Sequence, residues 1–540
     1  MVAIAEVGYD CERGRASRER WHHRIVDRET AASRNFPESS SIAHPTDLMK
    51  RNFVPDGWRQ QAGAVLLMAV AVGTILRFFR LGARELSIDE SLSWAESSAP
   101  SVTAVLRAQH QLDSGKFPIY ELAQYGWMRI FGESEAAMRA LPALIGSLSI
   151  VLVFILAVEV LLAVTPTRSD ESDKRGIYMV SALCALIFAV GLPSVEIARQ
   201  ARMYSMMQAW VLAQVIFLFR ARRLGGLADY AGLTIFSAIA VATNFTAVLV
   251  MAAEATWLIY LFLTDPDGDA RGEAEVRSAA PWLMGAALVA GMVLLLPLFA
   301  GLRYGVEGVK RGDYDWIKPP GPWEPFATFE SGLGSWPFPL FVLFAIVGGI
   351  RLWRSHRDEV VLLILWIGLP PIVLFAGSYL VTPMLVTRYL ISSFVPLFIL
   401  TAIGIESLPS RNYRALAIIA VVSLSILRVS SDLRPGDNRW RDACEIALTK
   451  AGSDRRVGVY NEWYLVSYYM PAAQRDSVQV VRIPFHGTGS EAPPVAIISP
   501  TVAPAQIVEI LREYPVVVAR FKNVIVVSRP EAGVQNAPAS

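Results

Sequence analysis

Apolar residues run along this chain in long unbroken stretches rather than at alternating or helical spacing. Eleven reach spanning length, near 61–81, 137–164, 177–193, 203–220, 228–244, 246–264, 281–301, 336–353, 359–380, 387–407 and 413–429. A hydrocarbon core about 30 Å thick takes roughly 20 helical residues, so each run predicts a membrane-spanning helix. The pattern changes between the first two runs. Val102, Val105, Leu106 and Leu112 recur at helical spacing, and Phe117 to Phe131 carries five aromatics. Both stretches predict helices lying along the membrane surface. A second long connection, 302–335, contains GDYDWIKPPGPWEPF and is too long for a simple turn; it reads as a lid or as an interfacial aromatic belt.

From about residue 430 the runs shorten. VGVY, VQVVRI, VAII and VVVARF read as strands, with helices at Trp440–Lys450 and near Ala503–Glu513, which predicts a small α/β domain. The expected fold class is a multi-pass α-helical membrane protein with outer interfacial helices and a small C-terminal α/β domain. The expected divisions are a disordered tail at 1–60, a transmembrane domain at 61–430, a soluble α/β domain at 431–530 and a second tail at 531–540.

Composition sharpens the exclusions. Apolar residues make up 53% of the chain and charged ones 18%, while 50 Lys and Arg nearly cancel 48 Asp and Glu to leave a net charge of +2. A disordered chain and a nucleic-acid binder working by bulk positive charge are both excluded, so membrane lipids are expected partners and nucleic acid is not. Cys11, Cys184 and Cys444 fall in a tail, a span and the C-terminal segment, which predicts no disulfide framework. Residues 1–60 lack the apolar core of a secretory signal, and Met49, followed by Lys50 and Arg51, reads as an alternative start.

The placement of charge says more than its sum. With the N-terminus inside, the short inner connections carry Arg168, Lys174 and Arg175, then Arg220, Arg222 and Arg223, then Arg271 and Arg277, then Arg354 and Arg357, then Arg411 and Arg414. This is the positive-inside pattern, and eleven spans then put the C-terminal domain outside. Arg77, Arg80 and Arg84, at the outer end of the first span, oppose it and are balanced by the basic tail.

Under that topology three polar groups meet at the outer leaflet. They are Asp89 and Glu90 after the first span, Arg199, Arg202 and Tyr204 between the third and fourth, and Arg388 with Tyr389 at the start of the tenth. Taken singly, a carboxylate pair at a span end is ordinarily just solvated and an arginine there ordinarily snorkels. Together they suit a phosphate-linked substrate, because guanidinium groups fork onto phosphate and stay charged. A carboxylate beside them can take a proton from an attacking hydroxyl. There is no Gly-rich phosphate loop.

The stretches LGARELSIDESLSW and LDSGKFPIYELAQYGWMRIFGESEAAMRALPALIG, followed by ARQARMYSMM and TRYLISSFVPLFIL, resemble the GT-C glycosyltransferases. The likeness is to the group of protein O-mannosyltransferases, aminoarabinose transferases and rhizobial galacturonosyltransferases, and it covers about residues 60–410. Phe117-Pro118 stands where that group has Pro-Pro, and Lys116 where it has His or Asn. The resemblance implies transfer of a sugar from a polyprenyl-phosphate carrier to an acceptor at the outer face. The expected mechanism is one displacement with inversion. Asp89 is the general base and Glu90 orients it or the sugar. Arg199, Arg202 and Arg388 hold the donor phosphate, with Arg202 and Arg388 foremost, and Lys116, Tyr204 and Tyr389 contact substrate. No cofactor or metal is expected. The rival readings are a lipid-phosphate flippase, a secondary transporter and a non-catalytic scaffold. The sugar stays open, as does the acceptor: lipid A, a polysaccharide, a lipid or a protein hydroxyl.

Four other features weigh less. Asp313-Tyr314-Asp315 matches the Asp-x-Asp of nucleotide-sugar enzymes but reads better as loop. His22-His23 lacks ligand partners. His110 reads as a surface residue, and Glu254, in mid-span, as a protonated or paired structural carboxyl.

Overall fold

The computed structural model describes residues 57–113, 117–165, 171–264, 284–291, 317–354, 356–434, 436, 439–459, 463–470, 479–482, 492–499 and 504–530. The first span is α1 (Gly57–Phe78), and three short helices follow it: α2 (Ile88–Ser97), α3 (Val102–Leu112) and α4 (Ile119–Phe131). Two were expected here. The extra one, α2, carries the Asp89-Glu90 pair, and its start is set locally: the Ser87 side chain accepts from the Glu90 N–H while Glu90 reaches back to the Ser87 N–H. This reciprocal capping box satisfies two donors that a helix start otherwise leaves open.

The membrane layer continues with α5 (Glu135–Ala163), α6 (Glu171–Val190), α7 (Leu192–Ala198), α8 (Tyr204–Leu224), α9 (Leu227–Thr243) and α10 (Val248–Thr264). Then come α11 (Glu324–Leu333), α12 (Phe338–Trp353), α13 (Arg357–Leu380), a 3-10 turn at Thr387–Ser393, α14 (Phe394–Glu406) and α15 (Arg411–Asp432). Ten of the eleven expected runs are thus helical along their length, while the run at 281–301 is described only at 284–291, also as helix. Helix α11 occupies part of the long connection 302–335, of which 302–316 lies outside the described residues. Asp313 and Asp315 lie outside the described residues, as do Lys116 and His22-His23.

By length and composition, six helices among the described residues are able to cross a membrane, or eight when two bent pairs each count as one span. Three of the eleven apolar runs are not among those eight: α8 ends in Arg220, Arg222 and Arg223, α9 has only 17 residues, and the run at 281–301 is described only at 284–291. The chain is a multi-pass membrane protein. Helix α14 is the most enclosed span, and α1 and α15 are peripheral. Buried Arg77 of α1 donates to the Gly73 and Ala189 carbonyls, each at 2.9 Å. It thereby ties the first span to the α6–α7 junction, where the helix bends by 57°. Glu254 is buried on α10 and accepts a 2.6 Å bond from Gln214 of α8, the paired structural carboxyl that its mid-span position suggested.

The C-terminal segment comprises α16 (Trp440–Ala451), β1 (Arg456–Val459), α17 (Trp463–Tyr469), β2 (Gln479–Arg482), β3 (Val495–Ile498), α18 (Pro504–Glu513), β4 (Val516–Arg520) and β5 (Ile525–Ser528). The sheet order is β2-β1-β3-β5-β4. Strand β1 runs parallel to β2 and β3, and β5 antiparallel to β3 and β4. Four strands were expected; β5 is the fifth, a four-residue apolar run that β4 reaches by a tight turn. The aromatic-rich WYLVSYY, strand-like by propensity, is helical because parallel β1 and β2 need a crossover between them. The core of this segment is shared with the site loops, since Leu86, Trp94, Met138 and Ala201 pack in one cluster with Trp440, Leu465 and Val466.

Candidate active site

Two arginines from distant parts of the chain converge on Asp89. In the first turn of α2, the Asp89 carboxylate forms an ion pair with Arg388 of the 3-10 turn. Its backbone carbonyl accepts from Arg202 Nη1 at 3.1 Å. The same nitrogen donates to Ser93 Oγ, one turn further along α2, at 3.1 Å, and Arg202 Nη2 lies 3.7 Å from the Asp113 carboxylate. Asp89 keeps 41% of its side-chain surface and Arg388 keeps 25%, whereas Arg202 is buried. Burial works against charge on Arg202, but Tyr204, Asp113, Asp89 and Glu96 outweigh it, so its pKa stands above the ordinary value. The guanidinium is a fixed cation under an accessible carboxylate.

Glu90 faces the other way. It is 3% exposed and receives a fork from Arg139 of α5, Nε to Oε1 at 2.7 Å and Nη2 to Oε2 at 2.8 Å. Its oxygens also accept from the Ser87 and Ala201 backbone N–H groups at 2.8 and 2.9 Å. Burial raises its pKa, yet the Arg139 pair and the backbone donors prevail and hold it below the ordinary carboxylate value. Arg139 donates further to the Leu81, Arg84 and Glu85 carbonyls, which pins the loop between α1 and α2.

Arg199 is equally committed. One nitrogen, Nη1, donates to the Leu76, Arg77 and Phe79 carbonyls at 3.1, 3.0 and 2.8 Å, satisfying acceptors that the end of α1 exposes. Burial, with Arg84 and Arg139 nearby, lowers its pKa to about 10. Tyr204 is buried at the start of α8 and acts electrostatically on both Arg202 and Arg388. The Arg388 guanidinium lies over the Tyr389 ring, 5.8 Å from its centroid. His110 is exposed on α3.

Sequence reasoning therefore brought Asp89, Arg202, Arg388, Tyr204 and Tyr389 to one place, and the structure adds what it missed. Ser93 and Asp113 hold Arg202, and Arg139 holds Glu90. Glu96, Tyr120 and Glu121 are buried on α2 and α4, and burial, more than the neighbouring Glu121, raises the Tyr120 pKa, with Arg202 opposing. One signal was readable for Arg139: a charged residue just inside the first turn of a long apolar run. No group of three or more metal-ligating side chains occurs among the described residues.

No family model matches the sequence, and no curated protein matches it. The chain has the GT-C fold. A crystal structure of ArnT, an aminoarabinose transferase, from Cupriavidus metallidurans bound to undecaprenyl phosphate is similar with a TM-score of 0.53 at 14% identity, covering 89% of this chain and 99% of that one. The apo state of the same protein gives 0.55 at 12% identity, with 89% and 99% covered. The Archaeoglobus fulgidus oligosaccharyltransferase, tethered to an acceptor peptide, gives 0.46 at 13% identity, with 80% and 65% covered.

Proposed function

We propose that this chain is an integral-membrane glycosyltransferase that moves a sugar from a polyprenyl-phosphate carrier to an acceptor hydroxyl on the outer side of the membrane. The observation that carries this reading is the placement of Arg202 and Arg388 around one accessible carboxylate, Asp89. The similar ArnT structure holds undecaprenyl phosphate, and a lipid-borne donor of that class suits a site beside membrane helices.

Asp89 takes the proton from the acceptor hydroxyl as its oxygen attacks the anomeric carbon. The bond from that carbon to the carrier phosphate breaks on the opposite side, which inverts the centre. The phosphate leaves with its charge growing from about −1 towards −2, and Arg388 and Arg202 stabilise the added charge where it develops. The Asp89–Arg388 pair supports a coupling. An arriving phosphate competes for Arg388 and leaves Asp89 free to act as a base. Glu90 acts as a positioning group through Arg139, and Arg199 acts as the cap of α1. Tyr204, Tyr389 and Lys116 serve as substrate contacts. The inner placement of the N-terminus and the outer placement of the C-terminal segment belong to the same reading.

The test is transfer from a synthetic polyprenyl-phosphate sugar in proteoliposomes. Asp89→Asn should lower turnover ~10²–10⁴-fold while the variant melts as the wild type does. Near wild-type turnover by the folded variant overturns the role of Asp89. Movement of intact donor across the bilayer without cleavage of its phosphate–sugar bond overturns the transferase reading altogether.

A further inference from the structure

Helix α12 packs closely on α14 and only sparsely on α13, its neighbour in sequence. The space this leaves is an apolar groove of about 640 Å³, within the range of small-ligand sites. It is lined along α12 from Phe338 through Ala345 and Gly349 to Trp353 and Arg354. Phe338 lies towards the active-site end of the helix and Arg354 at the far end, about 24 Å of helix rise away. The groove therefore runs through most of the membrane's depth and ends in a cation.

That cation has company. Arg351, Arg354 and Arg357 are all exposed around this end, with Arg357 over the Trp353 ring at 6.0 Å. None of the three has a carboxylate partner among the described residues. Their surroundings differ in this respect: Arg220 pairs with Asp229, Arg222 with Asp358 and Glu359, Arg223 with Glu159, and Arg414 with Glu406. The acids nearest in sequence, Asp358 and Glu359, are thus already engaged by Arg222. The apolar slot ends at Arg354, with Arg351 and Arg357 on adjoining turns.

We propose that this groove binds an anionic phospholipid of the leaflet away from the active site. One acyl chain lies along Gly349 and Ala345, and the headgroup phosphate is held by Arg354 with Arg351 and Arg357 around it. The charge selects the occupant. A zwitterionic lipid brings its own cation into a ring of three, whereas a net negative headgroup gains from each, and basic clefts between spans at the membrane surface favour anionic lipids for this reason. The site rests on the membrane reading of the fold and not on the transfer chemistry, so it stands or falls separately.

Native mass spectrometry of the full chain, titrated in detergent with dioleoyl phosphatidylglycerol or dioleoyl phosphatidylcholine, tests it. The wild type should hold one phosphatidylglycerol about tenfold more tightly than phosphatidylcholine. Arg354→Gln should weaken phosphatidylglycerol about fivefold, the effect of one basic residue near a membrane surface, and leave phosphatidylcholine unchanged. Gly349→Leu should weaken both by filling the slot; a Cβ at Gly349 meets nothing within 4 Å, so the fold accepts it. Thermal melting checks both variants, and exposed Arg354 carries the test if Gly349→Leu melts early. Equal retention of the two lipids overturns the proposal, as does unchanged phosphatidylglycerol binding in Arg354→Gln. Stoichiometric displacement of phosphatidylglycerol by polyprenyl phosphate also overturns it and assigns the groove to the carrier chain.

Discussion

Asp89 and Glu90 are adjacent in sequence and opposite in environment. Successive residues on a helix point about 100° apart, so one carboxylate meets Arg388 at the accessible face while the other meets Arg139 inside. Removing one partner of such a buried pair costs ~3–5 kcal/mol, because it strands the other charge. Glu90→Gln should therefore melt markedly lower than the wild type near neutral pH. Its pH dependence has a definite sign. The Glu90 pKa is below its ordinary 4.5 in the folded chain, so its ionisation stabilises the fold above that value, and the gain is lost as pH falls from there through the lower folded value. Melting temperatures between neutral pH and the acid range should show this acid loss in the wild type and a flatter curve in Glu90→Gln. Arg202→Lys keeps the charge but loses the Nη1 bonds to the Asp89 carbonyl and Ser93 Oγ. It should cut transfer ~10²–10³-fold with little change in melting, and a variant that transfers normally removes Arg202 from the phosphate site.

At the scale of elements, the site depends on helix starts and close helix approaches. The capping box of α2 sets where Asp89 points, and Ser87→Ala should cost ~1 kcal/mol of stability together with a loss of turnover, measured by melting and by transfer. Helices α12 and α14 meet backbone to backbone. A Cβ on Gly348 falls 2.1 Å from the Leu400 carbonyl oxygen, and one on Gly404 falls 1.9 Å from that of Phe344. Small residues at such crossings allow the packing that holds membrane helices together. Gly348→Ala and Gly404→Ala should each lower the melting temperature sharply. The double variant should lose less than the sum, because both force the same pair of helices apart; full additivity contradicts this shared contact.

For the whole molecule, the C-terminal segment is part of the site's support. The Leu86 N–H donates to Tyr469 Oη at 2.7 Å, and the same hydroxyl lies 3.4 Å from the Glu135 carboxylate. Glu85 accepts from the Trp440 and Arg441 N–H groups at 2.7 and 3.2 Å, placing a carboxylate at the start of α16, where the helix dipole favours negative charge. Burial pushes the Glu85 pKa up against those bonds. The loop that leads into Asp89 is thus clamped from outside by α16 and α17. Tyr469→Phe strands the Leu86 N–H, at a cost of about 1–3 kcal/mol. It should lower both the melting temperature and turnover, with Michaelis constants for the donor moving less than turnover does. Unchanged transfer by this variant separates the C-terminal segment from the chemistry.

By itself the sequence determined what depends on local pattern: the apolar runs that become spans, the α/β character after residue 430, and the polar landmarks Asp89, Arg202 and Arg388. Spanning length and strand length act on short windows, so these were legible without partners. Tertiary structure alone decided which charges are accessible and which are spent. Glu90 and Arg199 look as available as Asp89 and Arg388 when read along the chain. Only packing turns Glu90 onto Arg139 and Arg199 onto the carbonyls of α1. Residues 49 or more positions apart meet there, and a buried charge must find its partners wherever the fold brings them.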